Sequence, residues 1–346
     1  MIKYFCGRKK ASAFATVIIL HSDKIYHTKS TVNMKNNAKS KLSLAKLIFS
    51  MTVFGTVGIV VRNVSLPSGF VAMSRGYIGA LVIFLFMLFT GRLPSIKKIR
   101  KNLAPLLLSG AFIGVNWILL FESYSYTGVA TATLCYYMAP VFVIIASSVL
   151  LSEKVGVIKA VSAAAAFLGM LLVCEPWGEF FGEAGLLGVV LALGAALFYA
   201  AVTITNKKMK DISSLDITLV QLFAAALTIT PYTIFAEKIT PSMFDIKSVV
   251  LVLVMGLLHT GAAYLLYFAS IKELDAAKVA IFAYIDPIVA LVLSALVLKE
   301  KMTVFGIIGA VLILVATLAS EILPTLKPRR KKELRAEENR RNSSVD

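Results

Sequence analysis

Charge is what this sequence has least of. Only 16% of its 346 residues are Asp, Glu, Lys or Arg, against about 25% in soluble globular proteins. Hydrophobic residues make up 58% and mean hydropathy is +0.82, which excludes a water-soluble enzyme, a disordered scaffold and a secreted disulfide-rich module. Histidine is nearly absent: His21 and His27 fall in an N-terminal tail and only His259 in an apolar run. The three cysteines, Cys6, Cys135 and Cys174, offer neither a disulfide framework nor metal-ligand spacing. No GxxxxGK[ST] occurs, so the chain carries no P-loop for ATP-driven work. Catalytic residues, metal ligands and cofactors are therefore expected to be none.

Long apolar runs are what is there. A helix needs about 20 mostly apolar residues to cross a bilayer. Ten runs qualify, near 45–62, 70–90, 103–121, 129–151, 155–174, 184–205, 216–236, 248–269, 278–298 and 302–322. Some are sharply bounded: Asn102–Phe121 is uncharged between Lys101 and Glu122, and Met302–Ser320 between Lys301 and Glu321. The least distinct division, fourth from fifth, rests on Glu153, Lys154 and Lys159. The runs are too long and too uniform for barrel strands, and lipid requires the backbone to satisfy itself, so α-helices are expected.

With ten spans and the N-terminus inside, 30 of the 36 Lys and Arg fall on the cytoplasmic side. That places both termini in the cytoplasm. The net charge of +17 thus reads as a topology signal, with no nucleic-acid partner expected. Residues 1–43 form a cytoplasmic tail. Its run ASAFATVIIL after GRKK resembles a signal-peptide core but lacks a cleavage site, and Met34 opens a conventional basic lead that marks an alternative start. Residues 323–346 form a charged cytoplasmic C-terminal tail.

The chain repeats itself. At an offset of 147, Pro140 meets Pro287, Glu153-Lys154 meets Glu300-Lys301, Phe121 meets Phe268, and Tyr137 meets Tyr284. Two five-helix units result, 44–174 and 184–322. Because five is odd, the copies enter the membrane from opposite sides, an inverted-topology repeat of the kind found in secondary transporters.

The halves containing YYMAPVFVIIASSVLLSEK and YIDPIVALVLSALVLKEKMTVFGIIGA resemble the paired EamA domains of the drug/metabolite transporter superfamily. Pro140, Glu153 and Gly169 match that family's pattern in the first copy, and Pro287, Glu300, Gly306 and Gly309 in the second. The resemblance covers nearly everything after residue 44. It implies ten helices, cytoplasmic termini and alternating-access movement of small metabolites, often outward, with the substrate left open.

Polar groups at membrane depth are costly and commonly functional. Asp286, mid-span in AYIDPIV, reads either as a proton-coupling or amine-binding carboxylate or as a buried acid paired for packing. Arg75 reads as an anion contact or as a structural pair reaching for the interface. His259 reads as a proton shuttle or as a satisfied core histidine. Gln221 stands at the repeat position of Arg75. Asn116 and Trp117, with Tyr137, Tyr264 and Tyr284, are candidates to line a cavity. Tyr124 and Tyr126 are expected in the interfacial aromatic belt, and Pro140, Glu153, Pro287 and Glu300 as structural motif. The small residues of the fifth and tenth spans favour close helix contacts within a protomer or across a homodimer.

The expectation is a multi-pass protein of the bacterial cytoplasmic membrane whose partners are the bilayer and a small solute. It would be a secondary transporter of amino-acid-like or drug-like metabolites, an exporter, with proton coupling open. The alternatives are a sugar-phosphate or nucleotide-sugar type exchanger of the same superfamily and a non-transporting scaffold.

Overall fold

A computed structural model describes residues 40–152, 156–174, 183–274 and 276–342. The tail through residue 39, with Met34, lies outside them, as do Glu153, the acidic segment 175–182 and residues 343–346. Every regular element among the described residues is helical. Nine helices there are long and apolar enough to cross a membrane, and a tenth apolar stretch, Ile281–Val297, is shorter.

We number the helices α1 (Ser40–Arg62), α2 (Ser68–Phe89), α3 (Leu103–Thr127), α4 (Val129–Tyr136), α5 (Ala139–Leu151), α6 (Val157–Cys174), α7 (Glu183–Asn206), α8 (Ser214–Phe235), α9 (Ile246–Ile271), α10 (Ala276–Ala283), α11 (Ile285–Val297) and α12 (Val304–Asn342). The last runs on as helix through most of the segment expected to be a tail. The expected fourth span is thus the pair α4 and α5, broken at Tyr137-Met138, and the ninth is α10 and α11, broken at Tyr284. Both breaks precede a proline, Pro140 or Pro287, at the first turn of the following helix. Proline fixes φ and lacks an N–H, so it suits a new helix start and spoils a continuous one.

The surface is apolar and much of the interior is polar. Phe89 and Phe235 are each 87% exposed, and Leu81, Leu197, Ile307 and Val311 also face outward. Ser50, Ser109, Ser270, Ser294 and Thr260 are fully buried. Water would penalise such an exterior; hydrocarbon would not.

Glycines set the closest approaches. A Cβ on Gly169 would stand 2.8 Å from the Gly309 carbonyl oxygen, so α6 and α12 meet backbone to backbone within one chain. At Gly110 a Cβ would reach the Gln221 carbonyl oxygen at 2.9 Å, and at Gly114 the Ala225 carbonyl oxygen at 2.9 Å, which seats α3 on α8.

Polar contacts gather at the two ends of the bundle. At one, the Asn102 side chain donates to the Lys210 carbonyl at 3.1 Å and accepts from the Lys210 N–H at 3.1 Å. At the other, the Ser65 N–H donates to the Ser248 hydroxyl at 2.9 Å. Asn102 and Ser248 open α3 and α9, and each holds the hairpin of the opposite half, so the sequence repeat is mirrored in the contacts.

Two carboxylates clasp helix starts at the Ser248 end. Glu237, just after α8, accepts from the Gly69 and Phe70 N–H groups at 2.6 and 2.9 Å. Glu300, after α11, accepts from Val129 and Ala130 at 3.0 and 3.1 Å, and from the Ser294 hydroxyl. Carboxylates suit helix N-termini, whose first N–H groups lack partners and carry partial positive charge. Burial raises the Glu237 carboxyl above the ordinary glutamate value, against the opposing pull of the Gly69 and Phe70 hydrogen bonds.

Candidate functional site

The two breaks meet in the middle. α4 packs on α11, and the Tyr137 and Tyr284 rings, one from each break, lie 6.4 Å apart at 44°. The Asp286 carboxyl is partnered by the Tyr137 hydroxyl. A side chain from the second repeat's break is thus held by one from the first.

Arg75 enters from α2. It is 4% exposed, its Nε donates to the Thr260 hydroxyl at 3.1 Å, and its guanidinium lies 4.2 Å from the Trp117 ring and 5.4 Å from the Phe121 ring. Among the described residues no carboxylate stands within ion-pair distance of it. Tyr124 and Tyr264 are each near enough to feel the charges of both Arg75 and Asp286.

α9 supplies the support for Arg75 through an unusual turn. Met255–Ala262 is π-helical, with side chains serving carbonyls five residues back: Thr260 donates to Met255 at 2.9 Å, and His259 Nδ1 lies 3.2 Å from the Val254 oxygen. That oxygen can only accept, so Nδ1 carries a proton; Nε2 lies 2.7 Å from the Thr56 hydroxyl, whose own proton is directed to the Val53 carbonyl at 2.7 Å. Both His259 nitrogens are engaged, the arrangement of a satisfied core histidine. Gly79 and Gly261 let α2 close on this turn; a Cβ on Gly79 would meet Thr260 Cβ at 2.9 Å.

The expected residues thus divide. Arg75, Trp117, Tyr137, Tyr264, Tyr284 and Asp286 come together. Asn116 borders them, but its amide is spent on the Ala195 carbonyl at 2.6 Å, holding α7. Gln221 is elsewhere, donating to the Ser109 hydroxyl and the Asn206 side chain, both at 2.7 Å, toward the Lys210 end. Tyr124 corrects the interfacial expectation: it is 4% exposed and stacks on Phe121 with ring centroids 6.3 Å apart. Helical spacing from Trp117 and Phe121, not closeness to the span end, was its signal. Tyr126 is 43% exposed, as a belt residue should be.

Sequence reasoning named Tyr136 as a pocket aromatic and missed Tyr199 and Glu321. Tyr136 packs edge-on against Tyr199 at 5.9 Å, and Glu321, near the end of α12's apolar stretch, is felt by Tyr199 and Tyr284. A surface groove of about 390 Å³ between α2 and α8 is lined by Tyr77, Leu81, Phe84 and Phe223 among others and has no charged residue in its lining; it lies apart from this chemistry.

The described residues contain no cluster of three or more potential metal ligands. A cluster with one buried cation, one half-buried acid and aromatic neighbours has the groups to bind and orient an organic solute.

The chain is similar to known transporters. The chain is 28% identical over 80% of its length to the uncharacterized transporter YxxF of Bacillus subtilis, covering 89% of that protein. It is 26% identical over 79% of its length to an uncharacterized transporter of Archaeoglobus fulgidus, covering 94% of it. It is also 30% identical over 49% of its length to the riboflavin transporter of Vibrio cholerae, covering 54% of it. A solved crystal structure superposes with a TM-score of 0.58 at 15% identity, over 81% of this chain and 98% of that one, which supports the fold alone. The model of the EamA-like transporter family matches twice, over residues 41–174 and 186–320. With two matches that span most of the sequence, this multi-pass membrane protein belongs to the EamA-like transporter family.

Proposed function

We propose that the chain is a secondary transporter that moves a small organic metabolite out of the cell by alternating access. Ten spans form two inverted five-helix repeats, with both termini cytoplasmic and the protein in the cytoplasmic membrane. The observation that carries this reading is the pair of helix breaks at equivalent repeat positions, meeting at Tyr137 and Tyr284 with Asp286 beside them. Discontinuous helices at the interface of inverted repeats are where such transporters hold cargo. The crossed contacts of Asn102 and Ser248 support the inverted relation, since each ties the equivalent hairpin of the opposite half. A sugar-phosphate exchanger would need several cations at depth, whereas the aromatic-lined cavity offers Arg75.

Asp286 is the coupling candidate, because its carboxyl lies beside the helix breaks and its neighbour there is the neutral Tyr137 hydroxyl. The test loads proteoliposomes with a pH dye and compares wild type with Asp286→Asn across amino acids, nucleobases and small aromatic acids. Solute-dependent pH change in wild type, absent from the variant while flux or exchange of the same solute remains detectable, is the expected result. Flux without pH change in either protein removes the coupling role. No flux of any solute by a monodisperse wild type would sink the transporter reading.

A further inference from the structure

Arg75 poses a charge-balance problem that the protein does not solve. It is 4% exposed in a chain read as membrane-spanning, where an arginine at mid-helix costs about 2.5–3.5 kcal/mol on insertion scales. A buried guanidinium is normally compensated by a carboxylate. Here Nε alone finds a protein acceptor, Thr260. Its underside is covered by Trp117 and Phe121, and among the described residues Asp286 makes no ion pair with it. Among the described residues the two Nη groups have no hydrogen-bond acceptor. They are also not sealed: among the described residues, the buried side-chain nitrogen and oxygen atoms without a partner are Thr133 Oγ1 and Thr233 Oγ1. The free edge of the guanidinium therefore keeps a small accessible surface.

We propose that this edge is the docking point for a single carboxylate of the cargo, so that the transported solutes are organic monocarboxylates with an apolar, aromatic-compatible body. This rests on the transporter reading and narrows its substrate. Three features select the chemistry. The two Nη groups form a planar fork that matches the two oxygens of a carboxylate, a fit a halide cannot make. One fixed positive charge balances one negative charge; a phosphate dianion would leave the cavity net negative beside Asp286. Trp117 and Phe121 beneath the fork, with Tyr124 and Tyr264 beyond it, give the cargo body aromatic walls. Thr260 fixes the fork's direction by holding Nε, and the π turn holds Thr260 in place.

The test uses Trp117 as its own reporter. The chain has two tryptophans, so Trp177→Phe leaves Trp117, 4.2 Å from the guanidinium, as the single fluorophore. The purified full-length protein in nanodiscs is titrated with benzoate, benzamide and sodium chloride, in the Trp177→Phe background alone and with Arg75→Gln or Arg75→Lys. Expected is a saturable Trp117 response to benzoate at concentrations at least about tenfold below benzamide, the ratio set by one charge-assisted contact. Arg75→Gln should erase that preference. Arg75→Lys, which keeps the charge and folds if the charge alone matters, should weaken it because the fork is lost. Equal response to benzamide, a chloride response matching benzoate, a preference surviving in Arg75→Gln, or no response to benzoate would each overturn the proposal. Benzoate counterflow in proteoliposomes separates the two readings. Arg75-dependent binding without counterflow removes transport and keeps the carboxylate site; counterflow of neutral solutes without carboxylate preference does the reverse.

Discussion

Replacing Glu300 with alanine would strip the start of α4 of its acceptors. The carboxylate takes the Val129 and Ala130 N–H groups at 3.0 and 3.1 Å, and Gly128 before them sits at φ +83°, where a side chain would be strained and a Cβ would stand 3.0 Å from Glu300 Oε1. Hydrogen bonds to a charged group contribute about 1.5–3 kcal/mol each, and the helix N-terminus adds about 0.3–1 kcal/mol. Glu300 is half-buried, so water replaces part of this, leaving about 2–4 kcal/mol for the pair. At 1.4 kcal/mol per decade, amide exchange at residues 129–130 should quicken by roughly 30- to 1,000-fold in Glu300→Ala. Glu300→Gln, which keeps one acceptor oxygen, should show about a tenfold effect. Hydrogen–deuterium exchange on a peptide covering 128–136, in detergent, reads this directly. Exchange in Glu300→Ala within about threefold of wild type, under about 0.7 kcal/mol, would refute the clasp as a stabilising contact and leave it a passive neighbour.

Gly169→Leu should force α6 from α12, because even a Cβ meets the Gly309 oxygen at 2.8 Å and Ile313 Cγ1 at 2.9 Å. A loss of about 1–3 kcal/mol should appear as earlier heat-induced aggregation, while Gly156→Ala, with nothing within 4 Å, should match wild type. Asp245 caps α9 through the Ser248 N–H at 2.9 Å, which with the Ser248 hydroxyl holds its carboxyl below the ordinary aspartate value. A depressed folded value stabilises at pH above the unfolded value of about 3.9 and is lost as pH falls through the folded one. The stability gap between wild type and Asp245→Asn should therefore be flat above pH 5 and close below about 4; a gap that widens on acidification would reverse the assignment.

The helical spans were legible because each is written locally, whereas the breaks within the fourth and ninth spans were not expected. Apolar runs of bilayer length mark the spans, and Pro140 and Pro287 align at one offset. The partners were not legible. Glu300 reads as a charge at a helix end, and only folding shows that its oxygens serve Val129, 171 residues earlier. Gln221 mirrors Arg75 in sequence but finds Ser109 and Asn206, because α3 and α7 present those groups to it. Tyr124 misled because four residues from a helix end suggests the interface, whereas its neighbours Trp117 and Phe121 turn that face inward. The π turn of α9 leaves no mark in composition, since Met-Gly-Leu-Leu-His-Thr-Gly-Ala suits an α-helix equally; it arises from Thr260 and His259 reaching back five residues under the close approach of α2.

That turn also determines how α9 can move. A π turn holds more residues per turn than an α turn, so α9 carries slack as a wave in its winding. One residue of α-helix is about 100° of rotation and 1.5 Å of rise. If the wide turn migrates along α9, the residues it passes swing through that angle while both ends of the helix stay where Ser248 and the far loop hold them. Tyr264 stands two residues past the turn and packs on Phe54 at 5.3 Å. α9 can thus behave as a crankshaft, turning an aromatic wall of the cavity without tilting the helix that bears it.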